Sequence, residues 1–293
     1  MMRVLALDKC GQEGRGLVSA LAYLIKALRF SNDCRRRAPA RLEMKSTAPA
    51  IIVTTPQITL SIVSHRQNGL VNQLIEDVQR RCTDAVALVV TQNVADSVPL
   101  SIAGVSSRHK IIVNAHPRGY GANQNAAFLH CRTPLFCVAN PDIRLPSNPF
   151  PALTQTLADE RVGVVGPVVR DPEGVIEDSA RRFPTASVVL RKLLGGRPGP
   201  DYPADRGPIE VDWIAGMFML FRSDSYREIG GFDEAYFLYY EDVDLCHRLR
   251  KAGKTVIYNP AAEVVHDARR ASRRDPRLAL HHLRSVIRYL SRS

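Results

Sequence analysis

Two adjacent carboxylates, Glu241 and Asp242, follow the aromatic stretch Tyr236-Phe237-Leu238-Tyr239-Tyr240 and open a segment of helical character. Leu245, Cys246, Leu249 and Ala252 share one face at 3.6 residues per turn. Asp242 falls on that same inward face, and Asp244 is expected to point to solvent. A carboxylate aimed inward from a first helical turn has two readings: a charge favoured by the helix N-terminus, or a general base at the floor of a cleft. Upstream, Trp213 is the only tryptophan of the chain and leads into the small-residue turn Ala215-Gly216. It reads equally as a core residue or as a stacking platform. A second group of residues suits a metal. Asp142, in Asn140-Pro141-Asp142, offers the hard oxygen that Mg or Mn prefers, although Asn-Pro-Asp also makes a plain turn. His266 ends the last strand of the body, where a lone histidine is more often structural. Arg181 and Arg182 would serve a phosphate or a surface ion pair.

The elements that must position these residues are legible from residue 58 onward. Runs at 58–64, 85–91, 110–114 and 134–140 are β-branched or apolar and end in polar residues. Leu70, Leu74, Ile75 and Val78 repeat at helical spacing between the first two, and a helix is expected to start near Gly121. Strands alternating with helices predict a parallel sheet with helices on its faces. In such sheets ligands sit at the carboxyl ends of the strands. Ser64-His65, Asn93, Arg118 to Asn125 and Asn140-Asp142 fall there. Further strands are expected at 162–170, which carries Pro167 and so reads as an edge, and at 217–222, 255–259 and 262–267. The Gly/Pro-rich stretch from Gly195 to Pro208 is a candidate lid.

Composition bounds the function. The 293 residues are 45% hydrophobic and 24% charged, ordinary for a globular protein. Of the net charge of +11, residues 1–45 hold ten Lys/Arg against four Asp/Glu, and residues 266–293 hold eight Arg against two Asp. The body between is close to neutral, which argues against nucleic-acid binding and fits basic ends lying against anionic lipid or solvated. No run approaches the roughly 18 apolar residues of a membrane span. Six cysteines form no CxxC pair. Cys82, Cys131, Cys137 and Cys246 read as small core residues, and a reducing cytoplasm is the expected compartment. Residues 1–50, with a possible helix over Leu17–Phe30 and the Arg35-Arg36-Arg37 cluster, are expected to be a poorly ordered basic extension without the features of a secretory signal. Met44 is a possible start.

In this order, Gly119-Tyr120-Gly121-Ala122-Asn123-Gln124-Asn125, Asn140-Pro141-Asp142, Trp213 to Gly216, Gly230-Gly231-Phe232-Asp233-Glu234 with Glu241-Asp242-Val243-Asp244, His266 with Ser272, and His281-His282-Leu283-Arg284-Ser285 to Tyr289 resemble an inverting glycosyltransferase of family 2, rhamnosyltransferase-like, with the GT-A fold. The resemblance implies an α/β fold with a mostly parallel central sheet flanked by helices. It implies a catalytic domain over 51–267 and a basic amphipathic helix over 268–293. It implies transfer of a sugar, L-rhamnose from dTDP-rhamnose, to a hydroxyl of a glycan or polyprenyl-linked acceptor in surface-polysaccharide synthesis, at the cytoplasmic face of the inner membrane. Asp242 would be the base, supported by Glu241. Ser64, Asn93, Gly121, Asn125, Asn140 and Asp142 would bind the nucleotide sugar, and Trp213 and Gly216 the acceptor. Asp142 and His266 would hold the divalent metal, Mg or Mn. Three strand ends depart from the family pattern: Ser64-His65-Arg66 stands for a Thr-Tyr-Asn-like triplet, Gln92-Asn93 for Asp-Asn, and Asn140 for Asp. A nucleotide-sugar-binding protein without activity, and a nucleotidyltransferase, are the alternatives. The second would normally carry a Gly-rich phosphate loop, which Ser64-His65-Arg66-Gln67 lacks.

Overall fold

The computed structural model describes residues 57–82, 86–102, 109–185, 187–188, 200–203, 207–267 and 276–292. The expected extension over 1–50, most of the Gly195–Pro208 loop and Ser272 lie outside them.

The chain enters through β1 (Ile58–His65), buried on both faces except at His65, as a strand covered by helices on either side must be. Helix α1 (Asn68–Arg81) follows, with Leu70, Val71, Leu74, Ile75 and Val78 buried at the expected spacing and Arg80 and Arg81 in its last turn. Then come β2 (Val86–Val94), β3 (His109–Val113), α2 (Tyr120–Phe128), β4 (Leu135–Ala139), β5 (Ile143–Arg144) and α3 (Phe150–Thr156). The second half holds β6 (Val162–Arg170), β7 (Ala180–Arg181), β8 (Ile209–Glu210), β9 (Trp213–Ile214), β10 (Phe218–Arg222), α4 (Ser223–Glu228), α5 (Glu241–Lys251), β11 (Thr255–His266) and α6 (Pro276–Leu290).

The main sheet has the order β3-β2-β1-β4-β10-β6-β11-β5, with β8 on β11. The expected parallel pairing holds over β3, β2, β1 and β4. Beyond β4 the sheet is mixed, because β10 runs antiparallel to both of its neighbours. Alternate residues face opposite sides. Leu135, Cys137 and Ala139 join one apolar core with α1 and α3, and Phe136 and Val138 join a second with Tyr226, Leu245 and Leu249. Cys82, Cys131, Cys137 and Cys246 are buried, as their reading as small core residues expects.

The edge position expected for Val162–Arg170 is not observed: β6 lies between β10 and β11. Proline is tolerated there because β10 pairs with β6 only at Val164 and Val165, and because β11 bulges opposite Pro167, its register jumping from Asn259 to Glu263. The same bulge joins the two runs expected at 255–259 and 262–267 into the single strand β11.

Contacts divide the chain into two units. Residues 39–183 and 198–285 carry the sheet. The second unit comprises 1–38, 184–197 and 286–293, in which Val286 and Tyr289 are buried. Among the described residues, no helix is long and apolar enough to cross a membrane.

Candidate active site

Because β10 runs antiparallel to β4, the residues just before β10 lie beside those just after β4. The Asn140 amide donates to the Met217 carbonyl at 2.9 Å. The neighbouring Gly216 amide donates to Asp242 Oδ2 at 2.8 Å, and Asp242 Oδ1 accepts from the Val243 amide at 2.8 Å. The dipeptide Gly216-Met217 thus ties the Asn140-Pro141-Asp142 turn to the first turn of α5. Tyr120 braces it from α2, its hydroxyl donating to the Gly216 carbonyl at 2.8 Å. Burial, and then the charge of Glu241, raise the Tyr120 pKa well above its ordinary value, so the hydroxyl stays a donor.

The approach to α5 is conformationally unusual. Tyr239 and Tyr240 both have positive φ, 69° and 67°, a region that bulky residues rarely occupy. Tyr240 is the N-cap residue, and its carbonyl accepts from the Asp244 amide at 2.9 Å. This kink delivers Glu241 and Asp242 together. Glu241 is the more enclosed, 6% exposed, and its Oε2 is buried with no hydrogen-bond partner. Burial first, and the Asp242 charge second, push its carboxyl up to about 8. Burial also raises Asp242, but the Gly216 and Val243 amides and the Arg181 guanidinium pull the other way. Of the two, Glu241 is the one pushed toward the protonated form, because Asp242 has the amide donors that favour the charged form. Asp244 does not point freely to solvent as expected. Its carboxylate bonds Arg248 Nε at 2.7 Å, one turn along the helix, and Arg248 also reaches the Ile229 carbonyl.

The second carboxylate group forms where β5 pairs with the end of β11, setting Ile143 opposite His266. Asp142 Oδ2 lies 3.4 Å from His266 Nε2, and His266 Nδ1 meets Glu177 Oε2 at 2.8 Å. Burial alone would lower the imidazole pKa, but Asp142 and Glu177 overcome it and raise it to about 9. Asp142 Oδ1 is buried and unpartnered.

The remaining sequence candidates are placed as follows. Trp213 is half-buried on β9, its Nε1 donating to the Arg182 carbonyl at 2.9 Å and its ring 5.7 Å from the Arg181 guanidinium. Asn93 both donates to and accepts from the Arg118 backbone, and with Asn114 and Asn123 it stitches the strand ends to the start of α2. Asn123 does not cap that helix: its Nδ2 donates to the Gly119 carbonyl. Ser64 is buried, its hydroxyl spent on Asn68 and the Gln67 amide. Asn125 clamps the Gly-Gly-Phe-Asp turn through Phe232 and Tyr226. Gly121 lets α2 approach that turn, since a Cβ there would fall 2.7 Å from the Phe232 Cβ. Ser64, Gly121 and Asn125 thus make contacts within the frame of the strand end and the Gly-Gly-Phe-Asp turn. Tyr120 and Glu177 were not singled out from sequence. An aromatic residue between two glycines was a usable signal for the first; nothing in the sequence marked the second. A cavity of about 630 Å³ lined by Arg118, Asn125, Phe128, Tyr226, Arg227 and Glu234 contains none of the carboxylates of either group.

Residues 56–282, more than three quarters of the chain, match the family described as glycosyltransferase like family 2. The chain belongs to this family. Among family 2 relatives, the N-acetylglucosaminyl-diphospho-decaprenol L-rhamnosyltransferase of Mycobacterium tuberculosis (strain ATCC 25618 / H37Rv) is 38% identical over 165 residues, 51% of this chain and 53% of that one. The match thus spans about half the length of that relative. The rhamnosyltransferase WbbL of Escherichia coli (strain K12) is 28% identical over 247 residues, covering 80% of this chain and 93% of that one. Two solved structures share the fold. GalNAc-T7, with UDP, GalNAc and Mn2+, superposes with a TM-score of 0.53 at 13% identity, over 74% of this chain and 44% of that one. Residues 1–349 of TarS from S. aureus give 0.52 at 9% identity, over 72% and 60%. The fold is that of the GT-A glycosyltransferases.

A divalent cation, implied by the fold, can be tested against the residues present. An unpartnered buried carboxylate oxygen on Asp142 and a nearby imidazole nitrogen on His266 form a fitting hard-oxygen and nitrogen pair. Glu177 on the far nitrogen of His266 fixes the ring, as outer carboxylates do for metal-bound histidines. Among the described residues, no group of three or more His, Cys, Asp or Glu is placed to hold a metal by itself.

Proposed function

We propose that this chain is an inverting glycosyltransferase that moves L-rhamnose from dTDP-rhamnose to a hydroxyl of a glycan carried on a polyprenyl diphosphate. The two rhamnosyltransferase relatives support the sugar, and the decaprenol-linked substrate in the name of the mycobacterial one supports the carrier. The observation that carries the reading is the Asp242 carboxylate, fixed by the Gly216 amide and joined through Met217 to the Asp142 turn at the carboxyl edge of the sheet.

A sugar hydroxyl is too weak an acid to attack unaided, so Asp242 takes its proton as the oxygen bonds the anomeric carbon. The bond from that carbon to the nucleotide diphosphate breaks on the opposite face, the diphosphate leaves with the electron pair, and the configuration inverts. Glu241, protonated, keeps a second charge away from Asp242. Asp142 and His266 would hold a divalent cation, which supplies charge for the leaving diphosphate. Asn140 and Asn93 border the donor side, and Trp213 and Gly216 the acceptor side. Residues 51–267 form the catalytic part, with the C-terminal helix appended to it, and the enzyme works peripherally at the cytoplasmic face of the membrane.

The test is the thermal stability of the full chain with dTDP, UDP and GDP, each with and without Mn2+, followed by transfer assays with the matching donor. A metal-dependent rise in melting temperature with dTDP, and a product of inverted anomeric configuration, are expected. A folded protein that responds to none of the three nucleotides overturns the proposal.

A further inference from the structure

The short stretch from Glu177 to Arg181 touches both halves of the site with alternate residues. Glu177 holds the His266 imidazole at 2.8 Å. The Ser179 carbonyl accepts from the Ala215 amide at 2.8 Å, one residue before the glycine that binds Asp242. Arg181 pairs with Trp213 across β7 and β9, and Ala180 pairs with Ile214. Ala180 and Ile214 are buried in the core that also holds Leu245. Arg181 and Trp213, one residue along each strand, therefore stand together on the opposite face, both half-buried.

Arg181 is fixed from two directions. Its guanidinium lies 5.7 Å from the centre of the Trp213 ring. Its Nε pairs with Asp178 Oδ2 at 2.8 Å and donates to the Asp178 carbonyl at 3.0 Å. Among the described residues, none accepts a hydrogen bond from its two η nitrogens. Arg182 turns elsewhere: its guanidinium lies 6.0 Å from the Tyr202 ring, and its amide donates to Asp201. The charge of Arg181 reaches Asp242 and Tyr240, where it opposes the upward push of burial. A guanidinium held flat on the side of the base, bonded through Nε alone, presents its η nitrogens as a fork. That fork matches two oxygens of one phosphate.

Two phosphate groups come to such a site. The leaving diphosphate of the donor has the Asp142 and His266 pair on the other side of Gly216-Met217. An acceptor carried on a polyprenyl diphosphate brings the second, and where the reacting sugar is the one joined to the carrier, hydroxyl and phosphate sit on the same ring. We infer that Arg181, backed by Trp213, binds the phosphate attached to the acceptor sugar, and so selects acceptors whose reacting sugar is itself joined to the diphosphate. Trp213 is then a positioning residue that keeps the fork flat. This inference rests on the transferase reading and names the acceptor class within it.

The experiment compares two soluble acceptors on the full chain with dTDP-rhamnose: octyl N-acetylglucosaminyl diphosphate, and octyl N-acetylglucosaminide, which lacks the phosphates. The wild type is expected to favour the diphosphate in kcat/KM. Arg181→Gln is expected to cut that preference by about ten- to a hundredfold, mainly through the KM of the diphosphate. Any effect of the lost charge on Asp242 falls on both acceptors alike and cancels in the ratio. Arg181→Lys keeps the charge without the fork and should retain part of the preference; it carries the test if the glutamine variant does not fold. An equal loss on both acceptors, or an unchanged preference, overturns the inference. So does weakened dTDP binding with the acceptor ratio intact, since the fork then serves the donor. Calorimetric binding of the two octyl compounds repeats the comparison without chemistry. Arg181-dependent binding of the diphosphate by a chain that transfers no sugar leaves the phosphate site standing and refutes only the proposed function, whereas a folded chain that binds neither compound overturns the site as well.

Discussion

The Gly216 amide and Asp242 Oδ2 lie 2.8 Å apart across 26 residues of chain. Together with the Val243 amide, this contact favours the charged form of Asp242, while burial pushes Glu241 beside it toward the protonated one. Asp242→Asn preserves the shape and removes the base. Its kcat is expected to fall by about a hundred- to ten-thousand-fold, with nucleotide affinity unchanged. Transfer at the wild-type rate, measured with saturating donor and acceptor, assigns the base elsewhere.

Glu241 links the site to pH. Its folded pKa, about 8, stands above the ordinary 4.5, so between these values the folded state binds the proton more tightly than the unfolded chain does. Stability from this group is present below about pH 4.5 and is lost as pH rises toward about 8. Glu241→Gln mimics the protonated form and is expected to flatten this slope, melting higher than the wild type at pH 9 and nearly equal to it at pH 5. Parallel melting curves of the two proteins across that range contradict the assignment of the proton to Glu241.

Asp142 and His266 make a separate prediction. In titrations of the dTDP-saturated protein with Mn2+, Asp142→Ala should abolish the metal-dependent heat. Glu177→Gln, which only loosens the imidazole, should weaken binding by about ten- to a hundredfold. An unaltered Mn2+ affinity in Asp142→Ala moves the metal to other residues.

Two glycines near one another in function should respond in opposite ways. A Cβ at Gly216 would meet Asp242 at 3.5 Å, an ordinary contact, whereas one at Gly121 would meet the Phe232 Cβ at 2.7 Å. Gly216→Ala is expected to fold with equal or slightly greater stability, by about 0.4–1 kcal/mol, and to raise the acceptor KM by occupying space above the base. Gly121→Ala is expected to lose about 1–3 kcal/mol through overpacking. Chemical denaturation with steady-state kinetics separates the two, and a destabilised Gly216→Ala with normal KM removes the acceptor from that position.

The residues most readable in the sequence were those whose type and period agreed. Leu70 to Val78 announced α1, and Asp242 stood out because a carboxylate interrupted an otherwise apolar face. Pro167 misled because its missing N–H is harmless beside a bulge, and a bulge of β11 leaves no mark in the residues of β6. Asp244 was placed outward by periodicity, which sees the helix alone and not Arg248 reaching back to it. Ser64, Asn93 and Asn125 have the polarity of ligand contacts, and only the fold shows how their hydrogen bonds hold neighbouring backbone and side chains. Glu177 acts through His266 across 89 residues, and no local pattern encodes a distance of that kind.

Helix α5 starts at the Glu241-Asp242 pair, reverses at Gly253, where φ is +81°, and returns as β11 to finish at His266. The proposed base and the proposed metal-side histidine are therefore the two tips of one continuous segment, closed like a pair of callipers by a tight turn at the opposite end of the body. A residue added or removed within α5 would turn Asp242 relative to His266, whereas one added at the exposed turn of Gly253 would leave the two tips in place.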